Sequence, residues 1–143
     1  MNLRLTFFLL VVLSLRLSAQ SDDVPSLVQD KFKTEFPGAK DIEWSTDENN
    51  YVVEFNVGIT MYTCVYDESG NQLEKAELIN DEAVPATLLD YIKKNYPEAY
   101  SSYTEKVTND KNEVFYRSTV ENEDNTMVLI SDLSGKITQE KAK

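Results

Sequence analysis

Apolar side chains recur at every fourth position in two separate stretches of the chain: Val24, Val28, Phe32 and Phe36, then Val84, Leu88, Ile92 and Tyr96. That spacing keeps the four residues on one side of a helix, so each stretch predicts a helix of about three turns with a single apolar stripe. Proline marks both boundaries. Pro25 and Pro85 suit a first helical turn, where a missing N–H costs nothing, and the acids just upstream (Asp22, Asp23, Asp81, Glu82) favour the positive end of the helix dipole. Phe36 and Tyr96 each precede a proline, a position pushed away from helical angles, so the helices stop there. A helix that is apolar along one stripe packs by one face onto something flat.

Between and after these stretches the period changes from about four to two. Tyr51, Val53, Phe55 and Val57 alternate with Val52, Glu54 and Asn56, and the run TMYTCVY that follows is rich in β-formers. EVFYRSTVE (residues 113–121) and TMVLISD (residues 126–132) take the same places later in the chain. Short polar connections, TDENN, Gly58, NDKN and NEDN, separate the runs as hairpin turns. DESG and DLSG place Asp at the first and Gly at the fourth position of a type I turn, where the glycine takes a left-handed conformation and forms a bulge. Connections this short join antiparallel neighbours.

The two series are copies of one unit. Val24-Pro25 matches Val84-Pro85, Phe32 matches Ile92 and Phe36-Pro37 matches Tyr96-Pro97 at an offset of 60, and DESG matches DLSG at an offset of 65. The expected fold class is therefore α+β: a tandem repeat of a helix followed by a four-stranded antiparallel meander, with two helices on one face of a roughly eight-stranded sheet. The repeats are assigned to residues 23–80 and 81–143 of a single domain, 20–143. Connection lengths leave the strand order between the halves open.

VP, FPGAK, IEW, NYVVEF and VYDESG, in that order and followed by a second copy, carry a family resemblance. The chain resembles the PepSY-like family of secreted bacterial proteins, typical of Bacteroidota, with a fold similar to that of β-lactamase inhibitor protein. The resemblance implies a leader peptide, no established enzymatic activity, and kinship with inhibitory or interaction modules. It carries over no catalytic or inhibitory residue. The second copy departs from the pattern where Thr104 stands for Trp44 and Ser131 for Tyr66, which opens the question whether both halves perform one task.

Composition sharpens the location. The first residues combine a basic start at Arg4, an apolar run from Leu5 to Leu15, and small residues Ser18 and Ala19. This is the layout of a cleavable signal peptide over residues 1–19, and the apolar run is short for a membrane span. The expected location is periplasmic or secreted, with no membrane insertion after cleavage. Removing this segment takes away two arginines and no acids, moving the formal charge from −11 to −13. Phosphate backbones and anionic lipid surfaces repel such a chain, which argues against nucleic acid as a partner. A basic surface would be steered toward it.

The chemistry available is narrow. There is no histidine and one cysteine, Cys64, in a strand-like run. The commonest general base and metal ligand, an intramolecular disulfide and a CxxC site are therefore all missing, and Cys64 reads as a small buried group. Acids cluster at Asp47-Glu48, Asp67-Glu68, Asp81-Glu82 and Glu121–Asp124, all in turns, where Asp and Asn serve the backbone. No cofactor, metal site or catalytic residue is expected, although a weak calcium site in the loop 121–125 remains as an alternative.

The informative surplus is aromatic. One sheet face should stay open. Of the residues alternating between Glu113 and Glu121, Val114, Tyr116, Ser118 and Val120 make the better core face, which leaves Phe115 and Arg117 on the open side, with Tyr62, Tyr66 and Tyr103 placed beside them. Tyrosine and arginine are the residue types that anchor interfaces, and aromatics also pair across strands on any half-exposed sheet. The leading reading is an exported, non-enzymatic module that binds an unknown protein or peptide, inhibition or modulation of another exported protein being one form of it. A structural, envelope-associated protein that self-assembles is the alternative, and the oligomeric state is open.

Overall fold

The computed structural model describes residues 23–143, so the expected signal peptide lies outside the described residues. Helix α1 (Ser26–Glu35) leads into strands β1 (Lys40–Asp47), β2 (Asn50–Val57), β3 (Thr60–Tyr66) and β4 (Gln72–Ile79). A short 3-10 turn, Asp81–Ala83, precedes α2 (Ala86–Asn95), followed by β5 (Ser101–Asn109), β6 (Val114–Glu121), β7 (Thr126–Ser131) and β8 (Ile137–Ala142). All eight strands form one antiparallel sheet in sequential order. The order that the sequence left open is settled by β4 and β5, which pair from Glu74↔Asn109 to Ile79↔Thr104 and fuse the two meanders edge to edge. No helix among the described residues is long and apolar enough to cross a membrane.

Local chemistry sets these boundaries. Both helices begin immediately after Pro25 and Pro85 and end at Glu35 and Asn95, with Phe36 and Tyr96 in extended-side conformations before the next proline. At the two DxSG turns the glycine amide donates to the aspartate carbonyl at 3.0 Å, Gly70 has φ +77° and Gly135 φ +85°, and the strand register shifts beside each turn. Each aspartate side chain ties its own turn. Asp67 Oδ1 accepts the amides of Ser69 and Asn71, and Asp132 Oδ1 accepts those of Ser134 and Lys136. Hydrogen bonding from the Asn71 and Ser134 side chains leads the causes that hold these two carboxyls below the ordinary aspartate value.

The helices lie on the same face, each over its own meander. The α1 stripe of Val24, Val28 and Phe32 packs on Trp44, Val53, Phe55, Cys64 and Tyr66. The α2 stripe of Val84, Leu88 and Ile92 packs on Val120 and Leu129. Cys64 is fully buried, as expected of a small core group, and burial pushes its thiol pKa up to about 12. At the seam, register places Lys75, Glu77, Lys106 and Thr108 on the helix side and Ala76 and Val107 on the other. Ala76 and Val107 are nevertheless fully buried, so the middle of the sheet closes on its open side.

Candidate functional site

Register divides the five residues expected on the open face into two groups. Tyr62 and Tyr66 face the helices, a correction to the sequence-based expectation. They pair with Phe55 and Tyr51, on the same side as Val53 and Cys64. The ring of Tyr62 stacks on Phe55 at 5.7 Å. Tyr66 is fully buried and donates its hydroxyl to Glu35 Oε2 of α1 at 2.6 Å, while Gln72 donates to both groups, at 3.2 Å to Tyr66 and 3.1 Å to Glu35. Both faces of β3 carry large side chains, so alternation alone does not orient the strand. Pairing with β2 puts Met61, Thr63 and Val65 on the open side.

Tyr103, Phe115 and Arg117 do share the open face, at positions paired with Thr119, Val107 and Glu105. Arg117 is held there. Its Nη1 lies 2.7 Å from Glu74 Oε1 of β4 and its Nε 2.9 Å from Glu105 Oε2 of β5. Burial would lower the guanidinium pKa, but the charges of Glu105 and Glu74 and their hydrogen bonds outweigh it and raise it. The three side chains form a polar cluster beside buried Ala76 and Val107, so Arg117 is an element of the face rather than an unengaged cation.

Beside this cluster runs a groove of about 320 Å³ lined by Glu54, Met61, Thr63, Leu78, Tyr103 and Glu105, contributed by four successive strands. Met61, Leu78 and Tyr103 are 46, 37 and 42% exposed, a group of large apolar side chains kept at the surface by the alternation that buries their neighbours. Glu54 and Met61 also line a smaller depression of about 140 Å³ with Asp41, Glu43 and Asn56. Met61 and Leu78 are the residues that sequence reasoning passed over. The signal for Met61 is its opposite parity to Cys64; for Leu78, among the mixed residues of LEKAELI, no alternation singles it out.

The titratable lining of the groove is Glu54, Glu105 and Tyr103, and Glu105 is engaged by Arg117. Among the described residues no cluster of His, Cys, Asp or Glu is arranged to hold a metal. In the loop 121–125, Asn122 Oδ1 accepts the amides of Asp124 and Asn125 at 3.0 and 2.9 Å. The Asn122 side chain thus serves the turn itself.

Solved structures share the architecture. A protein from Bacteroides eggerthii, described as "putative periplasmic proteins", superposes with a TM-score of 0.71 at 16% identity, over 83% of this chain and 88% of its own. A DUF2874 family protein from Bacteroides uniformis gives a TM-score of 0.69 at 18% identity, over 82 and 88% of the two chains. A BLIP-like protein from Bacteroides fragilis gives 0.61 at 20% identity, over 82 and 85%. At these identities the likeness is one of fold. No curated protein matches the chain in sequence. The sequence profile of the family described as "Putative beta-lactamase-inhibitor-like, PepSY-like" matches residues 15–73 and again 49–139. With both matches together spanning most of its length, this chain belongs to the PepSY-like family.

Proposed function

We propose that the protein is an exported, non-enzymatic binding module that takes a protein partner on the open face of its sheet. The observation that carries this reading is the groove between β2 and β5. The helices cover the other face completely enough to bury two cores, whereas Met61, Leu78 and Tyr103 stay at the surface beside two carboxylates. Partly exposed apolar side chains ringed by polar groups are the usual anchors of a protein interface. The BLIP-like neighbour supports an interaction module, and the leader-like start of the chain and the neighbour described as periplasmic support export.

The test compares the wild-type chain, residues 20–143, with a Met61→Ala/Leu78→Ala/Tyr103→Ala variant. All three positions are partly exposed, so the variant should melt within a few degrees of wild type. Immobilised side by side in periplasmic extract of the source organism, the wild type should retain a protein that the variant loses by tenfold or more, roughly the effect of removing clustered interface anchors. Equal capture by both would overturn the reading.

A further inference from the structure

The described residues carry three sulfur atoms, those of Met61, Cys64 and Met127, and the fold presents each differently. Cys64 is fully buried between α1 and the sheet, and burial pushes its thiol pKa up to about 12, so it offers no thiolate at neutral pH. Met127 pairs with Val120 and Ala142 on the helix side and is partly buried against the second core. Met61 alone stands on the open side. It is 46% exposed and lines both the groove of about 320 Å³ and the neighbouring depression of about 140 Å³. A thioether reacts through its lone pair and needs no deprotonation, so access decides which methionine an oxidant meets first.

Resting on the open-face reading above, we propose that Met61 is an oxidation site and that its conversion to the sulfoxide switches the groove off. The oxidant is hydrogen peroxide, a neutral molecule that the strongly negative chain does not repel. The sulfur lone pair attacks one peroxide oxygen, and the S–O bond forms as the O–O bond breaks. The departing hydroxide takes the proton from the sulfur-bound oxygen and leaves as water. Sulfur has then lost two electrons and the peroxide has gained them. The product sets a polar S–O group into the lining that Met61 shares with Leu78 and Tyr103, so an apolar anchor becomes a polar one. A methionine sulfoxide reductase reverses the step, its thiols ending as a disulfide and the oxygen leaving as water.

The test treats residues 20–143 with millimolar hydrogen peroxide and follows each sulfur by peptide mass spectrometry. Met61 should convert about tenfold faster than Met127 while Cys64 stays reduced, and in urea, with the fold gone, the two methionines should convert alike. After removal of peroxide, the treated wild type should retain about tenfold less of the protein it captures from periplasmic extract, and reductase treatment should restore that capture. Met61→Leu keeps an apolar side chain without an oxidisable sulfur, so its capture should survive the same treatment. Reductase rescue keeps the test decisive if Met61→Leu itself captures poorly. Equal conversion of Met61 and Met127 in the folded chain would overturn the site, and selective conversion with unchanged capture would overturn the switch. In either case, loss of capture by Met61→Ala/Leu78→Ala/Tyr103→Ala leaves the open-face reading standing. Equal capture by that triple variant would overturn the reading and the switch together.

Discussion

The two halves of the molecule build one layout from different core chemistry. Under α1, Phe32 meets Trp44 edge-on at 5.4 Å and Phe55 at 4.9 Å, with Phe36 at 5.7 Å. Under α2 the corresponding positions hold Ile92, Thr104 and Val120, and Tyr66 is matched by Ser131. Bulk lost from the second core returns at its margin, where Tyr91, Tyr96 and Tyr116 pack as partly buried residues. The helix-to-strand polar ties are also inverted. In the first half a strand tyrosine reaches a helix acid, Tyr66 to Glu35; in the second, Tyr91 of α2 and Tyr96 just past its end reach a strand acid, Glu140. What the halves share is helix punctuation and the DxSG turn. These fix the frame, and the frame tolerates either filling.

The sharpest way to break the comparison is at the turn glycines, which look equivalent and are not. A Cβ on Gly135 would lie 2.8 Å from Pro85 Cβ and 2.9 Å from the backbone nitrogen of Leu88, at φ +85°. On Gly70, at φ +77°, its nearest neighbour would be Lys31 Cγ at 3.1 Å, part of a flexible side chain. The rigid start of α2 has no way to yield. Gly135→Ala should therefore cost about 3 kcal/mol or more, adding overpacking to the left-handed penalty, and Gly70→Ala about 1–2 kcal/mol from the backbone conformation alone. Urea midpoints of the two variants check this, and equal losses would refute the idea that the second turn is clamped harder onto its helix.

A smaller effect tests whether the second core depends on its polar pair. Thr104 and Ser118 are buried and share a hydrogen bond of 2.7 Å across β5 and β6, where the first half has Trp44 and Val53. Thr104→Val keeps the shape and leaves the Ser118 hydroxyl without this partner, at a cost of about 1–2 kcal/mol. Adding Ser118→Ala should cost little beyond that. A double-mutant cycle with no coupling would show that the two hydroxyls are merely small side chains filling space.

The frame was legible in the sequence because it is local. Proline ends helices by its own stereochemistry, glycine at the fourth position of DxSG supplies the positive φ, and the offsets of 60 and 65 announce the duplication. The site was only half legible. Phe115 and Arg117 could be placed because Val114, Tyr116 and Val120 make one side of β6 the more apolar, against Arg117, Thr119 and Glu121 on the other. Tyr62 and Tyr66 could not, because β3 carries large residues on both sides and only its register with β2 decides between them. Leu78 and Glu105 meet Met61 and Glu54 only once β4 has paired with both β3 and β5, a long-range fact that no window of sequence contains. The same holds for Arg117, whose two acidic partners lie on different strands.

The finest contrast between the halves is visible only at alkaline pH. Burial, then the hydrogen bond to Glu35, raises the Tyr66 pKa well above the ordinary tyrosine value, and burial carries Cys64 to about 12. Burial and then the charge of Glu77 also raise Tyr62. Groups whose pKa is raised by folding contribute stability that is whole below their unfolded values, about 8.5 for Cys and 10 for Tyr, and that is lost as pH climbs through the folded ones. In the second half Leu129 and Ser131 replace Cys64 and Tyr66. Its Tyr91 is raised mainly by the hydrogen bond to Glu140, a bond reached by solvent, which keeps the stability effect small. Alkaline loosening should therefore start under α1. Between pH 8 and 11 the urea midpoint should fall, and the near-ultraviolet signal of Trp44 should change before the fold as a whole is lost. Tyr66→Phe, costing only about 1 kcal/mol at pH 7, should flatten that fall, and Tyr66→Phe/Cys64→Ala should flatten it further. An unchanged slope in the double variant would place the pH response on surface tyrosines instead, and the two cores would then differ in shape but not in how they carry ionisable groups.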